Sequence, residues 1–387
     1  MATKVLNILT SLRLTVICLA CALGLVFIGT LAQVHLGLYT VQHDYFGSFL
    51  VWWKPEGSKF KIPVWPGGYL IGTVLLANLI AAHLKRFELS KKKFGIFVIH
   101  GGLILLLVGQ LFTQLFQVES FMTIAEGTSK NYSESGQSSE LAVIDKTDAE
   151  TDLVVAIPQR LVAHKQEISD RNLPFKVKVQ SFWENSNPAL ASDGHLKFEP
   201  EKFATAMDSR NIPTAKVEIL TDEGAKGPFE VSNWLSEDRL AARIQESFQS
   251  RLRPNFADAP QFTYKGRTYE LALRPVRYYK PFTIKLNEFR HDRYAGTDIP
   301  KNYSSTIQLI NPDKKEDREL RIFMNNPLRY EGETFYQGSF IGETISILQV
   351  VRNPGWLTPY VACLMVGAGL LVQFLSHLVK FSRKRAA

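Results

Sequence analysis

The sequence predicts an integral membrane protein with four transmembrane α-helices, three N-terminal and one C-terminal, and a large β-rich extracytoplasmic domain before the last helix. Three observations carry this. Apolar residues gather in four blocks, basic residues crowd the ends of those blocks, and the long stretch between the third and fourth blocks alternates with a period of two. A mean hydropathy of −0.05 hides the blocks by averaging them with that stretch. The net charge of +8 is equally local. Three segments (Lys4 and Arg13; Lys85, Arg86 and Lys91–Lys93; Lys380 and Arg383–Arg385) hold eleven of the 45 bases and one of the 37 acids. The rest of the chain keeps 34 bases against 36 acids, a net of −2, which excludes a soluble nucleic-acid binder.

The membrane elements follow in order. Blocks at about 14–31, 68–84, 94–116 and 356–379 are each long enough at 1.5 Å per residue to cross roughly 30 Å of hydrocarbon. The second is the shortest and carries Asn78. The first runs well past Cys21 without a cleavage site, which favours an anchor over a signal peptide. All three basic segments are placed in the cytoplasm by a single even-span topology, which puts the loop His35–Pro66 and the segment Gln117–Pro354 outside. The domains are therefore read as 1–116, 117–353 and 354–387.

In the external segment, strands are predicted at Leu141–Ile144, Asp152–Ile157, Phe175–Phe182, Lys216–Leu220, Tyr269–Tyr279, Phe282–Phe289 and Thr344–Val351. Turns are predicted at Asp222–Gly224, Tyr264–Gly266, Asn325–Pro327 and Glu331–Gly332. Pro188–Pro213 and Pro254–Pro260 read as loop or short-helix insertions, and Trp234–Leu252 as an amphipathic helix. Pro174–Phe182 is echoed by Pro281–Phe289, 107 residues later, in the form Pro-Phe-x-β-Lys-aliphatic-amide-x-Phe. The echo reads either as two tandem β units or as a coincidence among amphipathic strands.

Cys18, Cys21 and Cys363 all fall in predicted spans, so no disulfide staples the external domain. Cys18 and Cys21 share a helix face; as a redox pair they would need a thiolate that hydrocarbon disfavours, so small apolar packing residues are the stronger reading. Ala22 follows Cys21, so this is no haem-attachment C-x-x-C-H.

Ionisable side chains in spans are functional candidates. His83 ends the second span, His100 lies about two turns into the third beside Gly101-Gly102, and His377 lies near the end of the fourth. A neutral imidazole can ligate haem iron, and two from different helices would fill both axial positions. Interfacial hydrogen bonding is the alternative for His83 and His377, and packing for His100. In the outer loop Trp52, Trp53 and Trp65 read as interfacial anchors in membrane lipid, or as a shelf for a porphyrin edge or a partner. Gln110, Gln114 and Gln373 suit interhelical hydrogen bonds. His35, His43, His164, His195 and His291 are scattered, and no P-loop, H-E-x-x-H, G-x-S-x-G or Cys/His cluster occurs. The pattern suits a binding or assembly protein before a self-contained enzyme.

Several stretches together resemble a known family. They are Gly29–Gln33, Val51–Pro55, Asn78–His83, Ile99–Leu103, Gly127–Tyr132, Met324–Tyr330, Glu333–Phe340 and Arg352–Trp356. Over about Arg13–Arg385 the chain resembles the ResB-like proteins, also called CcsB, of System II cytochrome c biogenesis. The resemblance implies a multi-pass protein of the cytoplasmic (inner) membrane with both termini cytoplasmic. It implies a CcsA/ResC partner, apocytochrome c as client, and heme b (haem b) in transit but not permanently bound. Trp52-Trp53 is followed by Lys54, so the partner's W-W-D signature is absent and the chain looks like the CcsB half alone. By the same resemblance His83 is the first candidate for an axial haem ligand, paired with a partner histidine, and His100 the second. The chain is then a non-catalytic subunit of a cytochrome c synthase (haem lyase) complex. A membrane-anchored structural or sensory protein without haem is the alternative.

Overall fold

The computed structural model describes residues 2–55, 60–86, 93–191, 195–204, 210–248, 252, 256, 258–296 and 300–386. Lys91 and Lys92 of the basic loop, and Pro254, Asn255 and Ala257 of the second insertion, lie outside the described residues. The chain divides into two compact units, Met1–Gln117 with Asn353–Ala387, and Val118–Ala204 with Arg210–Arg352.

The first unit holds the four long apolar helices, and all four are long and apolar enough to cross a membrane. A short helix α1 (Ala2–Leu9) leads into α2 (Leu12–Leu36). Ser11 caps α2, its hydroxyl accepting from the Arg13 amide at 3.2 Å. Gly37, at φ 78°, ends α2. One turn of helix, α3 (Leu38–Val41), and a π turn over Gln42–Phe46 lead to a hairpin of β1 (Leu50–Trp53) and β2 (Ile62–Pro66). Then come α4 (Gly68–Arg86) and α5 (Phe94–Phe116).

The helices are joined by specific contacts. Asn78 of α4 bonds the carbonyls at the α1–α2 break. Its side-chain amide donates to Leu9 O at 2.6 Å and Ser11 O at 3.2 Å, while its oxygen accepts from the Thr15 hydroxyl at 2.7 Å. The residue that weakens the second span by hydropathy is thus buried and satisfied. At the penultimate residue of α4, Lys85 donates to the side chain of Asn7. Cys18, Leu25, Val51 and Ile71 form the buried cluster between α2, α4 and the hairpin, in keeping with the packing reading of Cys18.

The remaining elements belong to the second unit, except the last helix. They are β3 (Val118–Ala125), β4 (Ser129–Asp145), β5 (Leu153–Pro158), α6 (Gln159–His164), β6 (Glu167–Ile168), β7 (Lys176–Trp183), β8 (Ser186–Leu190) and β9 (Leu196–Pro200). Then follow β10 (Thr214–Thr221), β11 (Gly224–Ser232), α7 (Asn233–Ser236), α8 (Asp238–Phe248), β12 (Gln261–Tyr264) and β13 (Arg267–Arg293). The series ends with β14 (Pro300–Asn311), β15 (Glu316–Phe323), β16 (Leu328–Tyr330), β17 (Glu333–Ile341), β18 (Ile345–Arg352) and α9 (Thr358–Ala386).

Helix α9 returns to the first unit and packs on α5 through small residues. Gly95, Gly102 and Gly109, seven apart and all buried, face it. A Cβ on Gly102 would meet Ala362 O at 2.9 Å, and one on Gly109 would meet the Thr358 side chain at 2.3 Å.

The ten-stranded sheet runs β15-β14-β13-β4-β3-β18-β17-β16, with β12 added on β13 and β5 on β4. A second sheet runs β11-β10-β7-β6. Two apolar cores result. The first lies between the start of β13, the end of β4 and the four-stranded sheet, and includes Leu141, Val143, Phe175, Val177, Val217, Leu271 and Leu273. The second includes Met122, Ile124, Phe282, Ile284, Leu286, Ile307, Phe335 and Leu348. The two echoed segments sit one in each: Phe175 and Val177 in the first, Phe282 and Ile284 in the second. Strand β13 reaches both cores by bending where its register shifts, at Pro275/Arg277 and Tyr279/Ile284. The turns Lys265-Gly266 and Glu331-Gly332 each hold two residues at positive φ, the geometry of a two-residue hairpin loop.

Two expectations are corrected. Pro188–Pro213 contains most of the β8–β9 hairpin, because Pro188 stands on a strand with no further neighbour in the sheet, where no amide is needed. The amphipathic helix over Trp234–Leu252 is split into α7 and α8 at Glu237, whose backbone is extended.

Candidate functional site

The site begins with two imidazoles inside the membrane unit. His83 stands three residues before the end of α4 and His100 six residues into α5, so the short connection between these helices brings both to one end of the unit. Their ring centroids are 5.2 Å apart at 65°, an edge-to-face contact. Phe97, on the same face of α5 as His100, lies 5.5 Å from the His83 ring. Gly101 and Gly102 face α9, where they meet Met365 and Ala362, so the missing bulk serves helix packing behind His100.

This arrangement limits the chemistry. A porphyrin plane does not fit between two rings already in contact, so His83 and His100 are not opposite ligands of one iron here. If haem were bound here, one of the two could hold its iron through a ring nitrogen. His377 is 2.9 Å from Gln373 within its own helix. His43 touches Asp44 at 2.8 Å on the exposed loop. Among the described residues no group of three or more His, Cys, Asp or Glu could hold a metal ion.

The three tryptophans of the loop between α2 and α4 part company. Trp65 turns inward: its indole nitrogen donates to Cys21 O at 3.1 Å, and its ring lies where a Cβ on Gly24 would be, 2.5 Å away. Trp52 and Trp53 remain 52% and 56% exposed on β1, next to Lys54. Sequence reasoning missed the hairpin that sorts them. The alternation Val51 in, Trp52 out was the available signal, and Trp53, the last residue of β1, is exposed as well. It also missed Phe97, legible only as a residue three before His100.

The architecture defines a class: a membrane protein with three long apolar helices before a β-rich region and one after it. The ResB-like family model matches residues 261–345, from β12 to the first residue of β18. Protein NrfI of Wolinella succinogenes is 25% identical over 315 residues, which cover 81% of this chain and 30% of that protein, so the chain spans about a third of its relative's length. Both findings bear out the resemblance read from the sequence, and over residues 261–345 the chain matches the ResB-like family model.

Proposed function

We propose that the protein is a ResB/CcsB-type membrane subunit of cytochrome c biogenesis. With a CcsA/ResC-type partner it carries haem outward and presents it to apocytochrome c for covalent attachment. The observation that supports this most is the imidazole pair at one end of the membrane unit of a chain whose β-rich region matches the ResB-like family model. In this reading His83 supplies one axial ligand and the partner the other, and His100 and Phe97 wall the His83 ring and fix its orientation. Haem suits such a path because its ring is apolar and bis-histidine ligation leaves no open coordination position for oxygen. Trp52 and Trp53 are the exposed part of the proposed outer shelf. The protein sits in the cytoplasmic membrane with the β-rich region outside, as positive-inside loops require.

The test is the visible spectrum of the complex co-purified with its CcsA-type partner. Wild type is expected to show a Soret band with sharp reduced α and β bands. His83→Ala should lose most of that absorbance and of the cytochrome c yield at unchanged protein level, and His100→Ala should lose less. Full haem and full yield in His83→Ala would remove the ligand assignment.

A further inference from the structure

The first β core is not closed at one end. A cavity of about 350 Å³ opens there between the sheet face and the loop before β7. Its floor is apolar: Val143 and Tyr269 are core residues, and Val155 and Leu173 pack against the same core. At the mouth Leu153 stays 61% exposed, an apolar side chain that folding has left in water. The volume lies at the small end of the range for ligand pockets.

The mouth carries three cations: Arg171, Lys265 and Arg267. Two are already neutralised. Arg267 meets Asp145 at 3.0 Å and Lys265 meets Asp222 at 2.9 Å. Both acids are ionised at neutral pH: the Thr147 hydroxyl and the Arg267 guanidinium hold Asp145 below the ordinary aspartate range, and the Tyr264 hydroxyl and Lys265 do so for Asp222. Arg171 has no ion pair among the described residues. The mouth therefore has a surplus of one positive charge beside an apolar hollow.

We propose that this open end of the β core binds a single carboxylate carried on an apolar body, borne either by the C-terminal residue of a polypeptide or by a small organic acid. The apolar body covers Val143, Val155, Leu173 and Tyr269, and the carboxylate takes the guanidinium of Arg171 in a charge-assisted pair. One surplus charge suits one carboxylate and leaves a phosphate dianion half neutralised. The site lies in the β-rich unit and does not depend on haem handling.

The test uses the full chain in lipid nanodiscs, with empty nanodiscs as control. Two probes are titrated: 3-phenylpropionate, followed by saturation-transfer NMR, and a fluorescein-labelled Gly-Ser-Gly-Ser-Phe peptide, followed by anisotropy, as free acid and as C-terminal amide. At least one acid should bind. The amide should bind at least about tenfold more weakly than the peptide acid. Arg171→Glu, at an exposed position, should abolish binding without unfolding, Val155→Trp should block it by filling the floor, and Arg160→Glu on α6 should leave it unchanged. Binding of the peptide acid alone identifies a chain terminus as the ligand, and binding of phenylpropionate alone identifies a small acid. Equal binding of acid and amide, binding of neither acid, or undiminished binding to a folded Arg171→Glu protein would overturn the proposal.

Discussion

Single residues of the β-rich unit make its stability sensitive in opposite directions. Arg274 and Glu140 face each other across β13 and β4 at 3.0 Å, with side chains only 5% and 8% exposed. Removing one partner leaves a buried charge alone, so Arg274→Ala or Glu140→Ala should destabilise this unit by about 3–5 kcal/mol, whereas replacing both with apolar residues of similar volume should cost far less. Denaturant titration followed by near-ultraviolet circular dichroism separates the two outcomes. Glu230 and Asp145 predict opposite pH dependences. Burial pushes the Glu230 carboxyl above its ordinary value of 4.5, against the pull of Lys216. Its ionisation therefore disfavours the fold as pH rises through the raised value, and Glu230→Gln should stabilise at pH 7 with little effect below pH 4.5. Asp145 is held below 3.8 chiefly by Thr147, so its stabilisation is present above 3.8 and lost as pH falls through the lowered value. Asp145→Asn should flatten the acid limb of the melting curve that Glu230→Gln leaves alone.

At the scale of elements, the α5–α9 pair shows how far apolar helices depend on what they lack. Between helices in lipid the gain comes from close approach, and Gly95, Gly102 and Gly109 allow it along two full repeats. Gly102→Val would push the Val side chain into Ala362 O and Val366, and should lower the thermal midpoint of the membrane unit by several degrees in detergent. Gly72→Ala on α4, where an added Cβ meets nothing within 4 Å, should be neutral or slightly stabilising. The spans themselves were legible because hydropathy alone sets them: the third, 94–116, is the helix Phe94–Phe116, and the first is only extended by two residues at one end and five at the other. The partners of those helices were not legible. Nothing local says that Gly102 serves α9, that Asn78 answers the carbonyls of an α1–α2 break, or that His83 and His100 touch, because each depends on a helix whose placement is set elsewhere in the chain. The β region failed in the same way at Pro188, where a residue that punctuates most strands was tolerated on a two-stranded ribbon.

For the whole molecule, the proposed orientation rests on the charge pattern. The tail after the last span carries Lys380, Arg383, Lys384 and Arg385 with no acid. Moving four positive charges outward against an inside-negative potential costs about 9 kcal/mol per 100 mV, at about 2.3 for each charge. Outside the three basic segments the chain has 34 bases and 36 acids, so exporting the β-rich region meets almost no electrical opposition. In the proposed topology an even number of spans keeps both ends of the membrane unit on the cytoplasmic side. Cys18, Cys21 and Cys363 can be replaced by alanine to give a background without thiols. In that background Lys285→Cys, exposed on β13, should react with a membrane-impermeant maleimide in intact cells freed of any outer envelope, and Lys384→Cys should react only after lysis. Labelling of Lys384→Cys before lysis, with Lys285→Cys protected, would invert the topology and place His83 and His100 at the outer face. The proposed direction of haem movement would then have to be abandoned even if both histidines proved to bind haem.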